Sequence, residues 1–180
     1  GAVPRSGKSY MIGGLIAEKN PDQVVIFLGA VTETISQFYD MFKQYNDFED
    51  EDYNIVNTQA DGYGNIDIRK KNIVLISQQK GWKGGDGLEE DKNLIDILRN
   101  DNKIIFFDEI HQGSSIGDAQ GGLLNRYVWC TEGPLSRGRT DLELKSPFIM
   151  VTATFSKPLL NYMRKGNQLI KLIQWTYDDI

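Results

Sequence analysis

Gly1-Ala2-Val3-Pro4-Arg5-Ser6-Gly7-Lys8-Ser9 carries the spacing [Gly/Ala]-x-x-x-x-Gly-Lys-[Ser/Thr], with Ala2 in the leading small position. A backbone that passes this close to a polyphosphate has no room for a side chain at Gly7, and its successive N–H groups turn into one anion cradle. Lys8 would reach the β- and γ-phosphates as a point charge, and the Ser9 hydroxyl would be a ligand of the Mg²⁺ that bridges them. Ala2, Val3, Pro4, Arg5, Ser6, Gly7, Lys8, Ser9 and Tyr10 are therefore the expected nucleotide contacts. A helix is expected from Lys8 to Lys19, its N-terminal dipole favouring the anion. Met11, Ile12, Leu15 and Ile16 would form its buried face. Gly13 and Gly14 weaken that helix, which points to close packing on a sheet.

Asn20-Pro21-Asp22 stops the helix, and the continuous apolar run Val24 to Leu28 suits a parallel strand covered on both faces. Thr32-Glu33-Thr34 reads as a helix start, with Ile35, Phe38, Tyr39 and Phe42 on one side. Ile55-Val56 and Ile66 to Ile68 read as short edge strands around the turn-like Asp61 to Asn65. Ile73 to Ile76 is a second buried strand, ending in Ser77-Gln78-Gln79. Open α/β sheets place ligands at that edge. Leu94, Ile97 and Leu98 mark a helix ending near Asn100. Lys103 to Phe107 is a strand that runs into Asp108-Glu109-Ile110-His111. A helix is expected around Leu123 to Trp129, and the strand Phe148 to Val151 delivers Thr152-Ala153-Thr154. Leu159 to Arg164 reads as helix and Leu169 to Trp175 as a last strand. Strands alternate with helices throughout, which predicts a three-layer α/β domain with a mainly parallel sheet.

The chain has 180 residues, 40% of them apolar and 25% charged, so it can build one domain with a substantial core. A net charge of −5 excludes a surface that binds polyanions all over, though a local groove for nucleic acid is compatible with it. The single cysteine, Cys130, cannot form an internal disulfide and is expected as a small buried hydrophobe in a reducing, intracellular setting. With one histidine, His111, zinc sites rich in His or Cys and Ser–His–Asp chemistry elsewhere are close to excluded. The longest apolar run is far short of a membrane span. The acidic run Asp47 to Asp52 reads as a solvated loop or an interaction patch. Trp82 reads as local packing or a base-stacking ring.

The second chemical constellation lies at Asp108. Four hydrophobic residues, Ile104 to Phe107, followed by Asp-Glu are what a phosphate loop needs opposite it. Asp108 at the strand end would hold Mg²⁺ through its waters, and Glu109 would orient or deprotonate the attacking water. His111, beside Glu109, would sense the γ-phosphate and pass that state to Thr152 or Thr154.

GAVPRSGKS, FFDEIH and VTATFSKP, in this order, resemble motifs I, II and III of superfamily-two helicases and translocases, in the first of their two RecA-like domains. The resemblance covers nearly all of the chain, while the motif residues are few. It implies a RecA-like phosphate-loop fold, ATP and Mg²⁺ as ligands, and DNA or RNA as the track. Thr32 and Thr34 then stand where the family touches the nucleic-acid backbone, and Ser77 and Gln78 do likewise. His111, Thr152 and Thr154 couple hydrolysis to domain motion. The Asn-, Ile- and Lys-rich style and the Pro-Arg-Ser loop resemble helicase-like ATPases of large DNA viruses.

Two departures from the family pattern stand out. The strand that leads into the phosphate loop and the adenine-reading segment have no residues here, and no second RecA-like domain follows Ile180. Residues 1–180 are therefore expected to be a piece of a longer polypeptide, whose second lobe supplies arginine fingers in cis. Two other classes compete with the motor. One is a viral genome-packaging ATPase, which also uses an Arg-containing loop and an Asp-Glu pair; His111 and Thr152-Ala153-Thr154 speak against it. The other is a low-turnover nucleotide-binding regulatory module; the intact Lys8, Asp108 and Glu109 speak against that.

Overall fold

Val24 to Leu28 is apolar at every position, so both faces of this strand have to be covered. The computed structural model describes residues 2–29, 32–45, 48, 53–78, 92–108, 126–127, 130, 133–136 and 148–151. The strand, β1 (Gln23–Leu28), is buried along its whole length. It is the middle member of a five-stranded sheet with β2 (Asn54–Asn57), β3 (Asn72–Ser77), β4 (Lys103–Asp108) and β5 (Phe148–Val151), ordered β2-β3-β1-β4-β5. Every pairing is parallel. The mainly parallel α/β sheet expected from the alternation of elements is thus present.

Strand alternation divides the core into two. Val24, Ile26, Leu28, Ile73, Leu75, Ile104 and Phe106 point to one face, where helix α1 (Ala2–Lys19) adds Ile12 and Ile16, and helix α2 (Thr32–Gln44) adds Ile35, Phe38 and Phe42. Val25, Phe27, Val74, Ile76, Ile105 and Phe107 point to the other. There they meet Leu94, Ile95, Ile97 and Leu98 of a helix spanning Lys92–Leu98, together with Tyr127, Cys130 and Leu135. A short helical turn, α3 (Thr58–Asp61), precedes that helix, which is therefore α4. The result is three layers, with Cys130 buried as expected. Phe27 stacks on Phe107 at 5.2 Å between ring centroids, and burying a ring of this size contributes roughly 3 kcal/mol.

The amino-terminal rim is tied by a buried amide network. Gln23, Asn54 and Asn72 begin three adjacent strands and lie in register. The Asn72 side chain is fully buried. Its amide donates to Gln23 Oε1 at 2.9 Å and to the carbonyls of Asp67 at 2.8 Å and Lys70 at 2.9 Å. Its oxygen accepts from Asn54 Nδ2 at 2.8 Å. Tyr53 adds a hydroxyl bond to the Pro21 carbonyl at 2.5 Å.

Three expectations need correction. Ile66 to Ile68 is not a strand. Asp67 Oδ1 accepts from the Arg69 backbone N–H at 3.0 Å, and Lys70 N–H bonds the Asp67 carbonyl at 3.0 Å. An Asx-type turn has outcompeted sheet pairing, leaving Ile66 buried and Ile68 exposed. The Arg69 guanidinium, hydrogen-bonded to Asp67, holds its carboxyl below the usual carboxylate range. Second, α1 begins at Ala2 and takes in the residues read as an open loop before Lys8. Pro4 falls in the first turn, where its missing N–H has no acceptor inside the helix, so it does not break the helix. Third, Gly13 serves helix–helix contact instead of helix–sheet contact: a Cβ there would lie 3.3 Å from the Tyr45 ring and 3.6 Å from Phe42. The expected elements Leu159 to Arg164 and Leu169 to Trp175 lie outside the described residues, as does most of Leu123 to Trp129.

Three substitutions test this packing. Asn72→Leu should lower unfolding free energy in urea by about 3 kcal/mol, because several buried polar partners lose their bonds together. Gly14→Ala should raise it by about 0.5–1 kcal/mol, since a Cβ there meets nothing closer than 3.9 Å and helix propensity improves. Gly13→Leu should lower it, because Tyr45 and Phe42 already occupy the space.

Candidate nucleotide site at the carboxyl rim

With every strand parallel, all carboxyl ends share one rim. Leu28 pairs with Ser77, Phe27 with Phe107, and Asp108 with Val151. Asp108, Ser77 and Val151 therefore stand on the same edge. This is the edge where open α/β sheets bind ligands. β1 exits to α2 on one face, while β3 leads to α4 on the other. Adjacent strands whose connections part in this way open a crevice between their ends.

Ser9 comes to this rim from α1. Ser9, Ile12 and Ile16 recur at helical spacing, and all are buried, with Ser9 2% exposed. Ser9 is therefore on the sheet-facing side of α1, above the two isoleucines. It stands roughly 15 Å along the helix from Lys19. β1 rises roughly 17 Å from Gln23 to Leu28. The short link Asn20 to Asp22 joins the two at the amino rim, so Ser9 is level with the carboxyl ends.

Asp108 approaches the same place from the sheet. Ile104 and Phe106 share the core with Ile12 and Ile16, and Asp108 is the next residue of that parity in β4. Its side chain thus leaves the sheet on the α1 face, and it is also 2% exposed. A buried carboxylate and a buried hydroxyl on one face of one rim are hard oxygen donors of the kind that Mg²⁺ takes. Among the described residues no three His, Cys, Asp or Glu side chains converge. A metal here would draw its remaining ligands from phosphate oxygens and water.

The other expected residues divide. Ser77 ends β3 with the parity of Ile73 and Leu75, so it too faces α1 and α2. Thr32 opens α2, and Thr34, half-buried, lies in its first turn, at the helix end nearest this rim. Gln78 donates its side-chain amide to the main-chain carbonyl of Asp108. That tie joins two strand ends, and nothing in the local sequence around Gln78 signals it. Tyr10 is exposed, with its ring 6.2 Å from that of Tyr45. The backbone of Ala2, Val3, Pro4, Arg5, Ser6, Gly7 and Lys8 is helical, so in this conformation it does not form the expected cradle. Glu109, His111, Thr152 and Thr154 lie outside the described residues.

At the β2 end of the rim the polar groups are satisfied locally. Asn57 caps α3 by accepting from the N–H groups of Gln59 and Ala60, and the buried Thr58 hydroxyl donates to the Leu75 carbonyl at 2.8 Å. This closes that corner and leaves the chemistry to the β1, β3 and β4 ends. Among the described residues no helix is long and apolar enough to cross a membrane.

Comparison with known protein families matches residues 6–155 to the family described as "Type III restriction enzyme, res subunit". The matched span takes in Lys8, Ser9, Asp108, Glu109, His111, Thr152 and Thr154. No curated protein matches the chain. A parallel α/β sheet and a family match over most of the length agree with one another: the chain belongs to the type III restriction enzyme res subunit family, as a RecA-like ATPase domain of the superfamily-two helicase type.

Proposed function

We propose that this chain is the first motor domain of a nucleic-acid-dependent ATPase, hydrolysing ATP in step with movement along DNA or RNA. What supports the reading is the burial of Ser9 and Asp108, which helical and strand periodicity put on the same side of the sheet. The family match spans both of them.

Lys8 binds the β- and γ-phosphates, and Ala2 to Gly7, with Tyr10, contact the nucleotide. For this the segment Ala2 to Gly7 leaves the helix and wraps the phosphates. Pro4 supplies no N–H, so the helix loses little there. Ser9 and Asp108 would hold Mg²⁺, which supplies charge neutralisation to the bridged phosphates. Glu109 orients the attacking water and takes its proton. His111 with Thr152 and Thr154 relays the state of the γ-phosphate to a second RecA-like lobe in cis. That lobe brings the arginine finger, worth about 10³–10⁵ in rate. Without it, residues 1–180 bind nucleotide weakly and turn it over slowly.

Thr32, Thr34 and Ser77, short polar groups near the same rim, contact the nucleic-acid backbone, with Gln78 beside them. Contacts of this kind read no sequence, so unrelated sequences should stimulate turnover equally. The setting is intracellular.

ATP turnover of the full-length protein, with and without DNA or RNA, tests the reading. Stimulation by a nucleic acid is expected. Tight nucleotide binding without any stimulation would refute the motor and favour a regulatory module. Glu109→Gln should keep ATP affinity and remove stimulated hydrolysis; unchanged turnover takes Glu109 out of the mechanism. Lys8→Ala should weaken nucleotide binding by about 10-fold or more, as expected for a lost charge-assisted phosphate contact.

A further inference from the structure

The amide of Gln78 donates to the carbonyl of Asp108, yet β3 and β4 are not neighbours. β1 lies between them, so the bond bridges two strand spacings, about 9–10 Å between strand axes. Leu28 pairs with Ser77, and the residue that follows β1 is Gly29, which has no side chain to stand in the way. A main-chain carbonyl can only accept, so the NH₂ end of the carboxamide must face it. Gln78 is half-buried, which limits competition from water for this bond.

The carbonyl it holds belongs to the peptide unit that joins Asp108 to Glu109. That unit is planar, so holding its oxygen limits how the carbonyl at the end of β4 can turn. We propose that Gln78 is a positioning residue for hydrolysis: it holds the main-chain carbonyl of Asp108 at the end of β4 and ties that strand end to the end of β3. The inference rests on the roles proposed above for Asp108 and Glu109. It gives Gln78 a task other than the nucleic-acid contact expected from the sequence. A shift of the β3 end, where Ser77 stands on the proposed track, would reach the hydrolytic carboxylates through one hydrogen bond.

The test uses the full-length protein and two variants of similar side-chain length. Gln78→Met has no donor at any pH. Gln78→Glu has none when ionised, and regains an O–H donor when protonated. Both should lower nucleic-acid-stimulated kcat by about 10-fold or more, since small misplacements of catalytic groups cost up to about 100-fold. The KM for ATP, nucleotide affinity and Tm should stay near wild type.

Unchanged kcat in both variants overturns the inference. So does a parallel loss of kcat, nucleotide affinity and Tm in both variants, which is the signature of packing alone. If nucleic acid fails to stimulate the wild type, the proposed function fails and this inference falls with it. If the wild type is stimulated and the variants match it, the inference alone is lost.

Discussion

Parallel pairing of β1 with β3 on one side and β4 on the other is the constraint on which the other features depend. A parallel pair cannot be closed by a tight turn, so each connection crosses a face of the sheet. Those crossings cover Val24, Ile26 and Leu28 with α1 and α2, and Val25 and Phe27 with α4 and Tyr127. The same geometry sends every strand's carboxyl end to one rim. Site chemistry is thereby concentrated on a single edge before any catalytic side chain is considered.

The two rims handle polar groups differently. At the amino rim Gln23, Asn54 and Asn72 bond one another and the carbonyls of Asp67 and Lys70. Polar groups that satisfy one another in this way stiffen a structure and leave nothing for a ligand. At the carboxyl rim stand Ser9 and Asp108, both nearly inaccessible, with the Gln78 amide on the Asp108 carbonyl. A carboxylate taken this far out of water costs free energy that the surrounding fold has to offset.

Much of this architecture was legible along the chain. The runs Val24 to Leu28, Ile73 to Ile76 and Lys103 to Phe107 are long enough and apolar enough to be buried strands, and each is one. Ile66 to Ile68 misled because apolar alternation over three residues is weak. Asp67, between them, can bond the Arg69 N–H two residues on, and a local bond of that kind needs no partner strand. Gly13 misled in another way. Two glycines in a helix announce a close approach but do not say to what, and the neighbour is α2.

Ser9 and Asp108 could be singled out from sequence because each sits in a motif with its own spacing, and spacing is a property of the chain alone. That both leave their elements on the same face follows from helical and strand periodicity once strand order is known. Strand order itself came only with the folded structure: β3 and β4 flank β1 although residues 29–71 separate β1 from β3, and residues 29–102 separate it from β4, in sequence. The Gln78–Asp108 tie and the Asn72 network were out of reach for the same reason. Both join residues distant along the chain, and such contacts are selected by how the crossovers pack, which no local pattern encodes.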